Sequence, residues 1–418
     1  MVNSFQSQNN FPKLELQSLD LSNLQDRKNL EIARKIQLAI VPQSIPLIEG
    51  LEIDSFFIPC NAVGGDSFDV ISISKDIVAF LIYDVTGSGV SATFISMMAK
   101  ISFARHIKSV QSPRAVFERV NMEMIRDLPA GFYFTAFLAY LDLHDNKLTY
   151  GSAGHVYPLL FDKKHSRLLS LQTQGTLLGV FENALFDEQV MYPGAGDCLL
   201  LFTNGLYQIY SPGSTASHLE LEKQLFTFLR KRHQDKMIDH FKEKYDFFIQ
   251  SKPIEDDIAV IAVEILSQSR RGQIKEKLGF SADDPVYLQY LSYYEEMDIV
   301  IAAILASLDT LGYQDDVIRK MKITLTELLV NAILHGNNKD FSKKVIVGHL
   351  VDKTKAVISI MDEGSGFDYE KIPDPTLPEN ITKDCGRGLF IVRHYVDEIS
   401  FNEFGNRITI TKFFGKSS

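Results

Sequence analysis

The chain is poor in cysteine. Its three, Cys60, Cys198 and Cys385, are isolated and odd in number. That pattern excludes a disulfide framework and a zinc cluster, and it points to a reducing cytoplasm. No apolar run reaches the length that spans a bilayer, and residues 1–12 contain no signal-peptide core, so no membrane association is expected. Internal repeats and low-complexity stretches are absent. The net charge of −10 argues against a general nucleic-acid or anionic-membrane surface. What remains is ordinary: 418 residues, 45% hydrophobic and 23% charged, enough for two domains with cores of their own.

The most informative stretch runs from residue 64 to 89. Gly64-Gly65-Asp66 is followed by a strand-like run and then by residues 75–83, KDIVAFLIY, which end at Asp84-Val85-Thr86-Gly87. The apolar run reads as a buried strand. Asp66 is placed near the end of an earlier strand-like stretch, 51–59. Two carboxylates would thus sit at two strand ends, beside glycines that let backbone approach closely. Hard divalent cations take such oxygen ligands, and two cations roughly 4 Å apart can bind a phosphate and activate a water. Either motif alone reads more simply as a turn.

Residues 1–18 are polar and expected to be disordered. A helical pattern over 19–41 ends at Pro42 and Pro46; it reads equally as a helix packed on its own domain or as a signalling or dimerisation segment spanning 19–45. From 46 to 266 strands cluster and helices come in blocks, predicting an α+β domain. Strands are predicted at 51–59, 67–73, 77–83, 133–142, 147–152, 157–161, 197–203 and 257–266, and helices at 90–108, 113–127 and 219–248. Residues 267–283 lose periodicity and gain charge, which predicts a linker. A second α/β domain, 284–415, has helices at 293–311 and 315–335, strands at 344–350 and 355–361, a turn-rich segment at 362–385, a helix start at Gly388, and closing strands at 398–403 and 407–414.

In this second domain Thr326-Glu327 through Asn331 to His335-Gly336 lies late in a helix, with Glu327 and Asn331 one turn apart on one face. Asp362-Glu363-Gly364-Ser365-Gly366 follows a strand, and Gly386-Arg387-Gly388 precedes a helix. An Asp can accept from an exocyclic adenine amine, glycine-flanked amides can hold phosphates, and an Asn oxygen can ligate Mg²⁺. A Glu one turn away can orient or deprotonate a nucleophile. In this order the pieces resemble the GHKL ATPases, and among them the bacterial anti-sigma-factor serine kinases, over about 283–415. The resemblance implies a Bergerat-type α/β sandwich binding Mg-ATP. In it Asn331 binds Mg²⁺, Asp362 reads adenine, Gly364, Gly366, Gly386 and Gly388 shape the pocket, residues 367–385 form a short lid, and Glu327 is the catalytic base. Sensor histidine kinases share the superfamily, but their acceptor His is missing from residues 267–300. Phosphorylation of a protein Ser or Thr is the better expectation.

With that domain read, the first becomes legible. Ile36-Gln37 to Val41-Pro42, Asn61 to Asp66, Asp84 to Gly87, Ser152-Ala153-Gly154-His155, Leu178-Gly179, Phe202-Thr203-Asn204-Gly205 and Glu255-Asp256-Asp257-Ile258 occur in one order. The set resembles the PPM/SpoIIE-type serine/threonine phosphatases over about 30–266. That implies a layered β-sandwich flanked by helices and a binuclear Mn²⁺ or Mg²⁺ centre whose activated water attacks phosphoserine or phosphothreonine. Asp84 would bridge the metals with help from the Val85 carbonyl; Asp66 would hold the second metal, and Asp256 and Asn204 the first. The family usually has Asp at Asn204. Ser88, Gln208 and Ala259 stand where His, Glu and Thr are common. Either the phosphatase works with a weakened first-metal site, or it is a degenerate domain that binds a phosphoprotein.

Together the resemblances imply a cytoplasmic partner-switching regulator. Its shared substrate would be a STAS-type anti-anti-sigma protein, phosphorylated by the second domain and dephosphorylated by the first. A kinase with a pseudophosphatase sensor and a non-catalytic anti-sigma binding protein are the alternatives. A sigma factor is a further candidate partner, and both families are compatible with a homodimer.

Overall fold

A computed structural model describes residues 24–40, 42, 45, 48, 50–74, 76–210, 217–231, 237–292, 294–340, 343–367 and 387–415. The described residues divide into two compact units, those up to 267 and those from 268 onwards.

In chain order the first unit contains α1 (Leu24–Ile40), β1 (Leu51–Ile58), β2 (Ser67–Ser72), β3 (Ile77–Val85), α2 (Gly89–Ile107), α3 (Pro113–Asp127), β4 (Phe134–Asp142), β5 (Lys147–Ala153), β6 (Leu159–Asp162), β7 (Arg167–Ser170), β8 (Gln189–Met191), β9 (Cys198–Phe202), α4 (Leu206–Tyr210), α5 (Ser217–Lys231), α6 (Met237–Ile249) and β10 (Ile258–Ile265). Two five-stranded antiparallel sheets form, ordered β1-β10-β9-β6-β7 and β2-β3-β4-β5-β8.

The side-chain period of two explains why β3 is apolar throughout. Val78, Phe80 and Ile82 face the core between the sheets, with Ile261, Val263 and Leu201 of the opposite sheet. Ala79, Leu81, Tyr83 and Val85 face the other way, into the layer of α2 and α3 that holds Phe103 and Phe117. β10 is two-faced in the same manner, since Ile258, Val260 and Ala262 pack under α4, α5 and α6. Strands buried on both faces read as continuous apolar runs. Helices on each outer face of a β-sandwich are the architecture expected from sequence.

The second unit contains α7 (Gln268–Lys277), β11 (Tyr287–Leu291), a 3₁₀ turn (Tyr294–Glu296), α8 (Met297–Thr310), α9 (Asp315–Asn331), a π turn (Ala332–Gly336), β12 (Val345–Val351), β13 (Lys355–Met361), α10 (Arg387–Tyr395), β14 (Glu398–Phe401) and β15 (Arg407–Phe413). Its antiparallel sheet is ordered β11-β12-β13-β15-β14. Val347, Ile358, Ile360 and Ile410 are buried on one face, as are Val300, Ile304, Leu325 and Leu329 of α8 and α9.

The segment expected to be a linker, 267–283, is largely helix α7 and belongs to this unit. Gly348 on β12 explains its seat: a Cβ there would stand 2.8 Å from Leu278 and 3.0 Å from Phe280. Lys275 Nζ donates to the carbonyls of Asp284 (2.6 Å) and Ala282 (3.3 Å), and Arg407 Nη1 to that of Lys277 (2.8 Å). The expected lid, 367–385, falls almost wholly outside the described residues, as do Gly386 and residues 1–18.

Candidate functional site

Strand register brings the first set of candidates together. Ser67 pairs with Tyr83 across β2 and β3, which sets Asp66 opposite Asp84. Asp66 therefore enters β2, where the sequence placed it near the end of β1. Continuing the alternation, Asp66 precedes Phe68, Asp84 follows Ile82, Thr203 follows Leu201, and Asp257 precedes Ala259, all from the inter-sheet layer. Both sheets thus deliver polar side chains to one end of the sandwich.

Asp66 is 1% exposed. It hydrogen-bonds Asp84 and Thr203, yet its Oδ2 is buried without any partner. Burial first, then the charges of Asp84 and Asp257, hold its carboxyl well above the usual carboxylate range. Asp84 is pushed up to about 6, chiefly by burial and then by Asp256 and Asp257, against the hydrogen bond from Asp66. Asp256 is also raised, by burial and by Asp257, while the Asp257 N–H and the Asn204 side chain pull it down. A Cβ on Gly65 would lie 2.8 Å from the Val85 carbonyl oxygen, so the glycine lets that carbonyl approach the loop. Asp66, Asp84, Val85, Asn204 and Asp256 therefore share one neighbourhood.

Four further residues complete it. Gln37 of α1, buried at 5% exposure, donates through Nε2 to Gly64 O (2.7 Å) and accepts from Gly64 N (3.0 Å). Through Gln37, helix α1 is tied to its own domain. Thr93 of α2 also donates to Gly64 O (2.9 Å). His155 is buried, and burial lowers it to about 4, so it is neutral. Its Nε2 donates to Phe202 O (3.2 Å), leaving Nδ1 to accept from Thr135 (2.8 Å), the residue paired with Asp84. His155 is a strut between the sheets. Asp257 accepts from the backbone N–H of Cys60 (2.8 Å), Gly65 (2.7 Å) and Asp66 (3.3 Å). Sequence reading passed over it because two adjacent acids look alike until their partners are known. Gln208 has a partner of its own, accepting from Glu255 N (2.8 Å).

The second set gathers around the end of α9. A Cβ on Gly388, at the start of α10, would stand 2.4 Å from Glu327 Oε2 and 3.7 Å from Asn331 Nδ2, so these three are neighbours. The helix leaves α geometry after Asn331 and closes in the π turn, a departure frequent at functional sites. That turn brings Gly336 to Asp362, where a Cβ would lie 2.3 Å from the carboxyl carbon. Gly364 sits over Gly336 O and donates to Asp362 Oδ1 (2.9 Å). Gly366 has φ +74 and no room for a Cβ beside Phe404 O. Burial raises the Asp362 carboxyl. Asn337, 2% exposed and not foreseen, accepts from Glu363 N (2.8 Å) and ties the π turn to the Asp362 loop. His335 is exposed.

Residues 74–266 match the profile of Stage II sporulation protein E (SpoIIE), and residues 293–412 that of the histidine kinase-like ATPase domain. The chain joins a SpoIIE-type PPM phosphatase domain to a GHKL-type ATPase domain. The phosphatase domain lies within the similarity to phosphoserine phosphatase RsbU of Bacillus subtilis, 22% identical over 239 residues, covering 57% of this chain and 70% of that one. The ATPase domain is similar to serine-protein kinase RsbW of Oceanobacillus iheyensis, 29% identical over 110 residues, covering 25% of this chain and 70% of that one. The chain spans 53% of the length of phosphoserine phosphatase RsbP of B. subtilis. The solved RsbU and RsbW domains of Rv1364c from Mycobacterium tuberculosis share the fold at 20% identity and TM-score 0.50, covering 90% of this chain and 95% of that one. Among the described residues no helix is long and apolar enough to cross a membrane.

Proposed function

We propose that the chain is a two-enzyme partner switch, in which the phosphatase domain removes phosphate from a Ser or Thr of a STAS-type anti-anti-sigma protein and the ATPase domain replaces it from Mg-ATP. The observation that carries the first half is the buried Asp66–Asp84 pair. Two carboxyls in contact, one with an unpartnered buried oxygen, gather hard oxygen donors that a divalent cation can take in place of the proton they hold. Among the described residues no group of three or more His, Cys, Asp or Glu side chains is placed to hold a metal ion. The remaining donors are of other kinds, the Val85 carbonyl and the Asn204 amide, together with Asp256. When bound, Mn²⁺ or Mg²⁺ supplies an activated water and neutralises charge on the phosphoryl group. The chain's own part is to hold Asp66 and Asp84 across one ladder and to keep His155 neutral beneath them.

In the ATPase domain Glu327 is the proposed base, Asn331 the Mg²⁺ ligand and Asp362 the adenine acceptor. Gly364, Gly366, Gly386 and Gly388 let backbone come close to the nucleotide. The closeness of Gly388 to Glu327 supports this, since a Cβ there would stand 2.4 Å from Glu327 Oε2 and displace the end of that side chain. A sigma factor is a further proposed partner, as is a second copy of the chain.

A second reading has an observation of its own. Asn204 hydrogen-bonds Asp256, putting a neutral amide where the family has a carboxylate. That favours a phosphatase domain that senses a phosphoprotein without hydrolysing it. The deciding measurement is phosphate release from a phosphorylated STAS protein, titrated with Mn²⁺, for the native chain and for Asn204→Asp. Release by the native chain at millimolar Mn²⁺ or below supports the switch. Release only by the variant supports the sensor.

A further inference from the structure

We propose that Asp257, the neighbour of a proposed ligand, is the positioning residue of the carboxylate centre and not a ligand in it. The inference rests on the metal-centre reading above and concerns what holds that centre in shape.

The Asp257 side chain is 4% exposed, and both its oxygens are engaged by backbone amides. Oδ1 takes the N–H of Cys60, just beyond β1; Oδ2 takes those of Gly65 and Asp66, at the entry to β2. One carboxylate therefore ties two segments together and fixes the peptide that carries Asp66. Among the described residues no Lys or Arg pairs with it, so the amides and the Cys60 thiol, which also hydrogen-bonds it, compensate its charge. A buried carboxylate that accepts several N–H groups is compensated strongly.

The surroundings are shaped to this side chain. A Cβ on Gly64 would stand 1.9 Å from its Oδ2, and a Cβ on Gly205 1.9 Å from its carbonyl oxygen. Thr203 accepts from Ala259 N (3.0 Å) and lies 3.4 Å from the Asp257 carbonyl. Two glycines and a threonine, from two other loops, thus hold the residue where its oxygens meet the amides. Three amides and the Cys60 thiol match the four lone-pair sites of its carboxylate, which leaves Asp257 set up to hold backbone in place and not to ligate. Its charge still adds to the negative potential at Asp66 and Asp84. Asp66, whose peptide Asp257 holds, keeps its own Oδ2 buried without a hydrogen-bond partner. Groups that orient ligands are typically worth about 10–100-fold in metal affinity.

The test is calorimetric titration of Mn²⁺ into the nucleotide-free full chain, native, Asp66→Asn, Asp84→Asn and Asp257→Asn, with thermal unfolding before and after loading. An Asn keeps the shape but offers one acceptor and turns an N–H₂ towards the amides. Asp257→Asn is expected to weaken Mn²⁺ binding about 10–100-fold while the number of ions bound at saturation stays native. The unfolding shift on loading should shrink in step. Loss of a whole ion would make Asp257 a ligand and overturn the proposal. So would native affinity with a lowered metal-free unfolding temperature, which would make it structural alone. If Asp257→Asn does not fold, Gly64→Ala serves: its methyl displaces the carboxylate without removing the charge. It should weaken Mn²⁺ binding similarly, and unchanged affinity would overturn the proposal. Native binding by both Asp66→Asn and Asp84→Asn would instead overturn the metal centre itself, a result distinct from failure at Asp257.

Discussion

Replacing Asp84 by Asn should stabilise the metal-free protein and destabilise the metal-loaded one relative to native. Asp84 is raised from 3.8 to about 6 in the folded state. The unfolded chain therefore releases this proton more readily than the folded one, and ionisation opposes folding. At 1.36 kcal/mol per pKa unit, the penalty is about 3 kcal/mol once pH exceeds about 6. It fades as pH falls towards 3.8, to roughly half near pH 5 and to little near pH 4. Asn removes the charge but its Oδ1 can still accept a hydrogen bond from the Asp66 carboxyl, so the link between the two acids survives. In chelator, at about pH 7.5, the variant should unfold roughly 6–12 °C above native, converging with it near pH 4. A hundredfold excess of Mn²⁺ over its dissociation constant adds about 2.7 kcal/mol per site to the native chain. The variant has lost the proposed bridging ligand and should gain much less, so the order narrows or inverts. Differential scanning fluorimetry across pH, with and without Mn²⁺, reads all of this. A metal-free variant less stable than native at pH 7.5, or an offset that does not change with pH, would refute the electrostatic reasoning.

Other outcomes follow from the same geometry. Asn204→Asp restores a carboxylate beside Asp256 and should tighten Mn²⁺ in phosphate-release titrations by about 10–100-fold; an unchanged midpoint would count against Asn204 as a ligand. Gly388→Ala puts a methyl 2.4 Å from Glu327 Oε2 and should slow phosphotransfer about a hundredfold, measured with radiolabelled ATP; unaltered transfer would remove Glu327 from the base role. Glu327→Gln should abolish transfer while keeping nucleotide binding, whereas Asn331→Ala should lose Mg-ATP binding itself, as followed with a fluorescent analogue. Gln37→Ala strands the buried Gly64 N–H and should cost about 1–3 kcal/mol, seen as a lower unfolding midpoint; no change would mean that α1 does not brace the loop.

Much of the fold was legible because the two central strands, β3 and β10, are apolar on both faces and stop abruptly at acids. What was missed is short or polar. β7, β8 and β11 span few residues and are partly exposed, so they carry little periodicity. Helix α7 has a mostly charged sequence and inserts only Ile274 and the adjoining Leu278 into its unit, too sparse a stripe to reveal a helix. The site divides in the same way. Asp66, Asp84 and Asp362 announce themselves by glycines beside strand ends. Asp257 does not, because its meaning depends on Gly65, 192 positions away. Asn337 is hidden likewise, since nothing in the sequence beyond the His335-Gly336 motif tells which Asn accepts from the Asp362 loop.

The pairing of Asp66 with Asp84 also says where this protein tolerates change in length. The two acids belong to one antiparallel ladder, and their separation is that of neighbouring strands, fixed by backbone hydrogen bonds. The connection from Ser72 to Ile77 can lengthen without touching them, because the ladder above it stays in register. A single residue inserted within β2 or β3 cannot be absorbed in that way: it would turn one acid to the far face of the sheet. Length variation in this hairpin should therefore collect at its turn, and a one-residue insertion between the turn and either acid should leave a folded domain with a divided site.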